Sequence, residues 1–184
     1  MQMKTLTFSI VLLALTSSQI NAASPRDPYE YFFQQSLGDL NEEIEIAVEG
    51  GKKGIFVFFE MDECPFCHRM KNTVLNNPEI QELFSQEFHS LSIDIEGDIE
   101  MTDFQGNELT QKEFASQNRV RATPVLAFFD LEGQQVFRYT GAASGIEEFK
   151  WMAEFVTEGV YKMKDDNGRP IRFSRFKRLK KQQQ

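Results

Sequence analysis

Residues 55–75 constrain this chain more than any other stretch. Ile55 to Phe59 is an unbroken apolar run, followed by the acidic turn Glu60-Met61-Asp62-Glu63. Cys64-Pro65-Phe66-Cys67 and His68 come next and open a segment with helical character to about Leu75. A short strand without polar alternation belongs inside a sheet covered on both faces. The fold must therefore bury this strand and present both sulfurs where the strand hands over to a helix. These are the only two cysteines in the chain.

Two thiols at this spacing support several chemistries. A helix N-terminus carries partial positive charge and unpaired N–H groups, which stabilise a thiolate at the first cysteine. Cys67, one turn on, is placed to attack a mixed disulfide formed at Cys64 and release the partner. Cys64 is thus the candidate nucleophile and Cys67 the resolving thiol. Pro65 suits a first helical turn, where its missing N–H costs nothing. The same letters, CxxCH, also spell a c-type haem attachment site with His68 as axial ligand. A purely structural disulfide is a third reading. Zinc is weaker, because His89, the only other histidine, falls on a predicted strand.

Around the motif, the chain reads as alternating helices and strands. Tyr29 to Leu37 is expected to be a helix closed by Gly38. Asp39 to Val48 carries Leu40, Ile44, Ala47 and Val48 at helical spacing. Asn77-Pro78 restarts a helix with Asn as N-cap and Pro in the first turn. His89 to Ile95 alternates as a second strand, so strand, helix, strand forms a parallel βαβ unit. Residues 97–110 are acidic, with a turn at Gly106-Asn107, and read as a small hairpin or an irregular excursion. After a helix over 111–118 and the Thr123-Pro124 step, Val125–Phe129 and Gln135–Tyr139 form a hairpin. Ile146 to Tyr161 is the last amphipathic helix.

Charge divides the chain. Residues 24–161 carry −16 and residues 162–184 carry +7. An acidic body argues against nucleic acid as partner, since such binding is dominated by cations meeting phosphates. The basic stretch 162–184 is poor in apolar residues and is expected to be a flexible tail. At the other end, Lys4, the apolar stretch Leu6–Leu15 and the small residues before Ala23 read as a signal peptide over 1–22. Its apolar run is shorter than the roughly 20 residues of a membrane span. Export places the cysteines in a compartment where disulfides persist.

The pair Cys64-Pro65-Phe66-Cys67 and Thr123-Pro124 resembles the thioredoxin-like superfamily. In that fold CxxC follows the first central strand and a cis-proline precedes the next hairpin. The segments GKKGIFVFFEMDECPFCHRM, DFQGNELTQKEFA, VRATPVLAFFDLEG and FVTEGVYK are similar to exported proteins of the SoxW type. The resemblance implies an α/β thioredoxin fold over 24–161: a central mixed sheet flanked by helices, with an N-terminal helical extension and an acidic insertion.

It further implies an exported thiol–disulfide oxidoreductase, periplasmic where an outer membrane exists and secreted otherwise. The redox-active Cys64–Cys67 disulfide would be its only redox group, with no separate cofactor and no metal. Thr123, Pro124, Pro65 and Phe66 would hold substrate. Partners would be disulfide-containing exported proteins and a membrane thiol donor of the DsbD type, met by a monomer. Alternatives are a c-type haem protein and a thioredoxin-fold binding module without turnover. The sequence departs from ordinary thioredoxins at Glu63, which precedes Cys64, and at Phe58, where they carry a buried Asp. Asp62 and Glu63 raise the expected Cys64 pKa, whereas the helix terminus and protonated His68 lower it. Glu60 is the candidate substitute proton relay, with a solvated turn carboxylate as the competing reading. The expected outcome is a reductase rather than a strong oxidant.

Overall fold

Four strands form the central sheet in the order β2-β1-β5-β6. They are β1 (Gly54–Glu60), β2 (Phe88–Asp94), β5 (Val125–Phe129) and β6 (Gln135–Thr140). β1 pairs parallel with β2 and antiparallel with β5, and β6 closes the far edge antiparallel to β5. This computed structural model describes residues 24–183; the export segment expected over 1–22 lies outside them.

Every residue of β1 is buried, as its unbroken apolar run requires. The strand's period of two sends alternate side chains to opposite layers. Phe56 and Phe58, beside Phe128 and Leu126, face one apolar cluster. That cluster includes residues of α3 (Pro65–Met70), α4 (Pro78–Glu87), α6 (Ile146–Thr157) and α7 (Phe173–Gln182). Ile55, Val57 and Phe59 face the other, with α2 (Leu40–Glu49), α5 (Gln111–Gln117) and Met101 and Leu109. The abundant phenylalanines make the first layer largely aromatic: Phe84 and Phe149 stack 4.3 Å apart, and Phe56 meets both edge-on.

Local rules hold at several ends. The Asn77 side chain accepts from the Glu79 and Ile80 N–H groups with Pro78 at the first position. Thr110 and Glu113 form a reciprocal capping box at the start of α5. Residues 97–110 are a hairpin, β3 (Glu100–Thr102) against β4 (Glu108–Thr110). Its turn is organised by buried Asp103, which accepts from the Gln105 and Asn107 N–H groups. Burial pushes the Asp103 carboxyl up, but its hydrogen bonds outweigh this and hold it below its ordinary value.

Three expectations are corrected. The helix expected over Tyr29–Leu37 is the single turn α1 (Pro28–Tyr31). Phe32 and Phe33 both enter the core, and the Gln34 N–H leaves the helical pattern to donate to the Ser90 carbonyl. The helix from Pro65 to Leu75 is real, but its second half, Lys71–Leu75, is a π-helical turn.

The largest correction concerns the tail, which is not flexible: α7 packs against α6 through buried Phe173 and Phe176. Three of its cations have specific acceptors. Lys177 meets Glu148 at 2.6 Å, Lys180 meets Glu154 at 2.6 Å, and Arg175 meets Asp165 at 2.7 Å.

Candidate functional site

The site grows from the C-terminal end of β1. The chain leaves the strand at Glu60, passes Met61-Asp62-Glu63, and enters α3 with Cys64 as its N-cap. The Cys64 sulfur accepts from the Cys67 N–H at 3.0 Å and is joined to Cys67 in a disulfide. A helix start thus supplies both an N–H dipole and the geometry for the bond.

Both cysteines are buried, Cys64 at 2% and Cys67 at 0% exposure, within the aromatic layer. Cys67 is the more buried of the two by a small margin. Between them Pro65 is exposed, and Phe66 stands 60% exposed with the Arg69 guanidinium over its ring.

Phe59 is the register partner of Val125, so Cys64's loop and Thr123-Pro124 lie at the same end of the sheet. The Thr123–Pro124 peptide is cis. Among the described residues no hydrogen bond engages the Thr123 main chain, and its buried hydroxyl has no partner. Pro124 is buried, and its carbonyl accepts from Gly141 N–H at 2.8 Å. An open main-chain edge beside a disulfide is what an extended peptide needs for pairing.

The other sequence candidates separate. Glu63 is exposed. His68 is exposed, with its Nε2 hydrogen-bonded to the Asp62 carbonyl at 2.7 Å, which ties the first turn of α3 to the acidic loop. Glu60 is not a solvated turn carboxylate. It ends β1 at 7% exposure and meets the Lys71 ammonium at 2.6 Å. It also accepts from the Tyr29 hydroxyl at 2.8 Å and the Ser92 hydroxyl at 2.5 Å.

Burial disfavours the Lys71 charge, but the bonds to Glu60 and Tyr29 outweigh it and raise its pKa. For Tyr29 burial dominates and also raises the pKa. Lys71 had no signal that pointed to Glu60, which lies on the strand eleven residues earlier. Tyr29 and Ser92 had none, because they come from distant segments.

Of the CxxCH groups, both sulfurs are joined in the Cys64–Cys67 disulfide, and the His68 ring is engaged by the Asp62 carbonyl. Among the described residues, no three His, Cys, Asp or Glu side chains gather in a metal-ligand group.

Comparison with known proteins agrees with this geometry. The family model described as "Thioredoxin-like domain" matches residues 40–157. Among solved structures, a thioredoxin-fold protein from Helicobacter pylori superposes with a TM-score of 0.61 at 21% identity, covering 73% of this chain and 88% of that one. A DsbH oxidoreductase gives a TM-score of 0.53 at 22% identity, covering 82% and 95%. A putative disulphide-isomerase from Bacteroides thetaiotaomicron gives 0.51 at 24% identity, covering 69% and 92%. No curated protein matches the chain in sequence.

Proposed function

The chain belongs to the thioredoxin-like domain family, and on that premise we propose that it is an exported thiol–disulfide oxidoreductase acting on protein disulfides. The observation that carries this is the Cys64–Cys67 disulfide at the start of α3, at the same sheet end as the unpaired Thr123 main chain.

In the reduced protein the Cys64 thiolate attacks one sulfur of a partner disulfide and expels the other as a thiolate. The Cys67 thiolate then attacks Cys64 in the mixed disulfide, releasing the second partner sulfur. The partner gains two electrons and, with two protons from solvent and Cys67, becomes a dithiol. The protein is left with the Cys64–Cys67 bond seen here. Thr123 and Pro124 form the platform for the substrate main chain, and exposed Pro65 and Phe66 form its apolar margin. An external dithiol, supplied on our reading by a membrane donor, restores the reduced form. Periplasmic location rests on the amino-terminal pattern of residues 1–22.

Insulin reduction with a small dithiol as electron source tests the activity. Wild type should turn over, while Cys64→Ser and Cys67→Ser should not. Cys67→Ala should accumulate mixed disulfides through Cys64 and thereby identify partners. Equal behaviour of wild type and both serine variants defeats the proposal. A reduction potential of about −120 mV, the strong-oxidant regime, defeats the reductase direction.

A further inference from the structure

A cleft of about 400 Å³ lies on the opposite side of β1 from Pro124, at the C-terminal ends of β1 and β2. The two additions to the minimal fold build its walls: the extension before α2 and the β3–β4 insertion. Its floor reaches Glu60, Met61 and Asp62, two residues short of Cys64. The volume lies in the lower part of the roughly 300–1,000 Å³ range of ligand clefts, room for a few side chains.

The chemistry of the lining is one-sided. Glu60, Asp62, Asp94 and Glu100 contribute carboxylates, and no lining residue is cationic. Lys71 answers Glu60, whereas Asp62, Asp94 and Glu100 have no ion-pair partner among the described residues. Two apolar side chains stand beside them in the open, Leu37 at 95% and Ile99 at 68% exposure. A surface that leaves carboxylates unpaired and large aliphatic groups in water is complementary to one kind of occupant: cations flanking an apolar side chain.

From this geometry we infer that the cleft between the N-terminal extension and the β3–β4 insertion recognises a segment of the disulfide partner in which Lys or Arg flank an apolar residue. The inference rests on the oxidoreductase reading and gives it a substrate class. A segment leaving Cys64 toward β2 enters the cleft, while the segment on the other side of the reacting cysteine lies along Thr123. Partner recognition is thereby extended to both sides of the disulfide.

The test uses short cysteine peptides activated as mixed disulfides with nitrothiobenzoate, flanked by Lys-Leu-Lys, Glu-Leu-Glu or Lys-Ser-Lys. Cys64 thiolate attacks the peptide sulfur and expels the coloured nitrothiobenzoate thiolate, which reports the rate. Cys67 then displaces the peptide thiol and closes the Cys64–Cys67 bond. At low salt the reduced protein should react about tenfold faster with Lys-Leu-Lys than with Glu-Leu-Glu, a ratio that salt reduces.

Asp94→Asn with Glu100→Gln should bring that ratio below about threefold, and Leu37→Ser should erase the advantage over Lys-Ser-Lys. Glu45→Gln with Glu49→Gln, exposed on α2 and outside the cleft, should leave both unchanged. A ratio untouched by the cleft variants, or lowered equally by the α2 control, overturns the inference and assigns the preference to net charge.

Failure of the oxidoreductase reading looks different: no peptide, and no neutral small disulfide, would react. The cleft is then judged by NMR titration of the oxidised protein with a cysteine-free Lys-Leu-Lys peptide. Shifts at Leu37 and Ile99 support it, and their absence overturns it. A dimer in sedimentation that buries these same residues assigns the cleft to a second copy and also overturns it.

Discussion

Glu148 should make the docking of α7 strongly dependent on pH. Its carboxylate is 3% exposed, receives the Ser144 N–H at 2.7 Å, and meets Lys177 Nζ at 2.6 Å. Burial alone would push this carboxyl up, but the bonds from Lys177 and Ser144 outweigh it and lower the pKa from 4.5 to about 2. At 1.36 kcal/mol per pKa unit, the ionised form contributes about 3 kcal/mol above pH 5. The folded pKa is depressed, so this stability is present above the unfolded pKa and lost as pH falls through the folded one. Nearly all of it should remain at pH 5, less than half at about pH 3, and almost none at about pH 2. The assay is urea unfolding of wild type and Glu148→Gln at a series of pH values. The stability difference should be about 2–3 kcal/mol at neutral pH, allowing for the partly exposed Lys177, and should close on acidification. Parallel curves from pH 7 to pH 2 would refute the charge-based account of how the tail is held.

Three further perturbations test the frame and the site. Gly54→Ala should cost about 3 kcal/mol or more in urea unfolding, because the new Cβ would lie 2.1 Å from the Phe129 carbonyl oxygen; an unchanged midpoint contradicts the β1–β5 approach. Lys71→Met should cost about 3 kcal/mol by stranding the Glu60 charge, and adding Glu60→Gln should recover a large part of it. If the double variant is no more stable than the single one, the two groups are not a pair. Phe173→Ala and Phe176→Ala should each cost about 2–3 kcal/mol and expose residues 163–172 to limited proteolysis; wild-type resistance in both variants contradicts α7 docking.

Features encoded in short windows were legible in the sequence. The apolar run of β1, the alternation of β2 and the N-cap at Asn77 each express a local rule, and each element stands where the rule puts it. Cys64, Cys67 and the Thr123-Pro124 step likewise belong to local patterns, and the sheet brings them to one end. Features whose partners lie far along the chain were not legible.

The tail looked like repelling cations because Glu148, Glu154 and Asp165 lie 10 to 29 residues away for the three pairs concerned. Phe173 and Phe176, three apart, were the only sign of its buried stripe. Glu60 looked like one acid among three. Its burial depends on Tyr29, Lys71 and Ser92, separated from it by 31, 11 and 32 residues. The cleft is built by segments on either side of the motif, so no window of sequence contains it.

These nonlocal pairings explain how an acidic body acquires a directional surface. The basic tail lies on the α6 layer, where Lys177 and Lys180 neutralise Glu148 and Glu154. Lys150, also on α6, answers Glu79. On the β2 side, Asp62, Asp94 and Glu100 face the cleft without ion-pair partners among the described residues. Unpaired charges dominate the field felt by an approaching partner, because paired ones largely cancel at a distance. The cleft carboxylates therefore add negative potential at the end of the sheet that carries the disulfide. On the cleft proposal, a cationic partner would be steered toward Cys64 from the β2 side and an acidic one slowed. On this argument α7 bears on the charge pattern without touching the site, because its own cations lie over α6 and beside β6 and do not offset the cleft carboxylates.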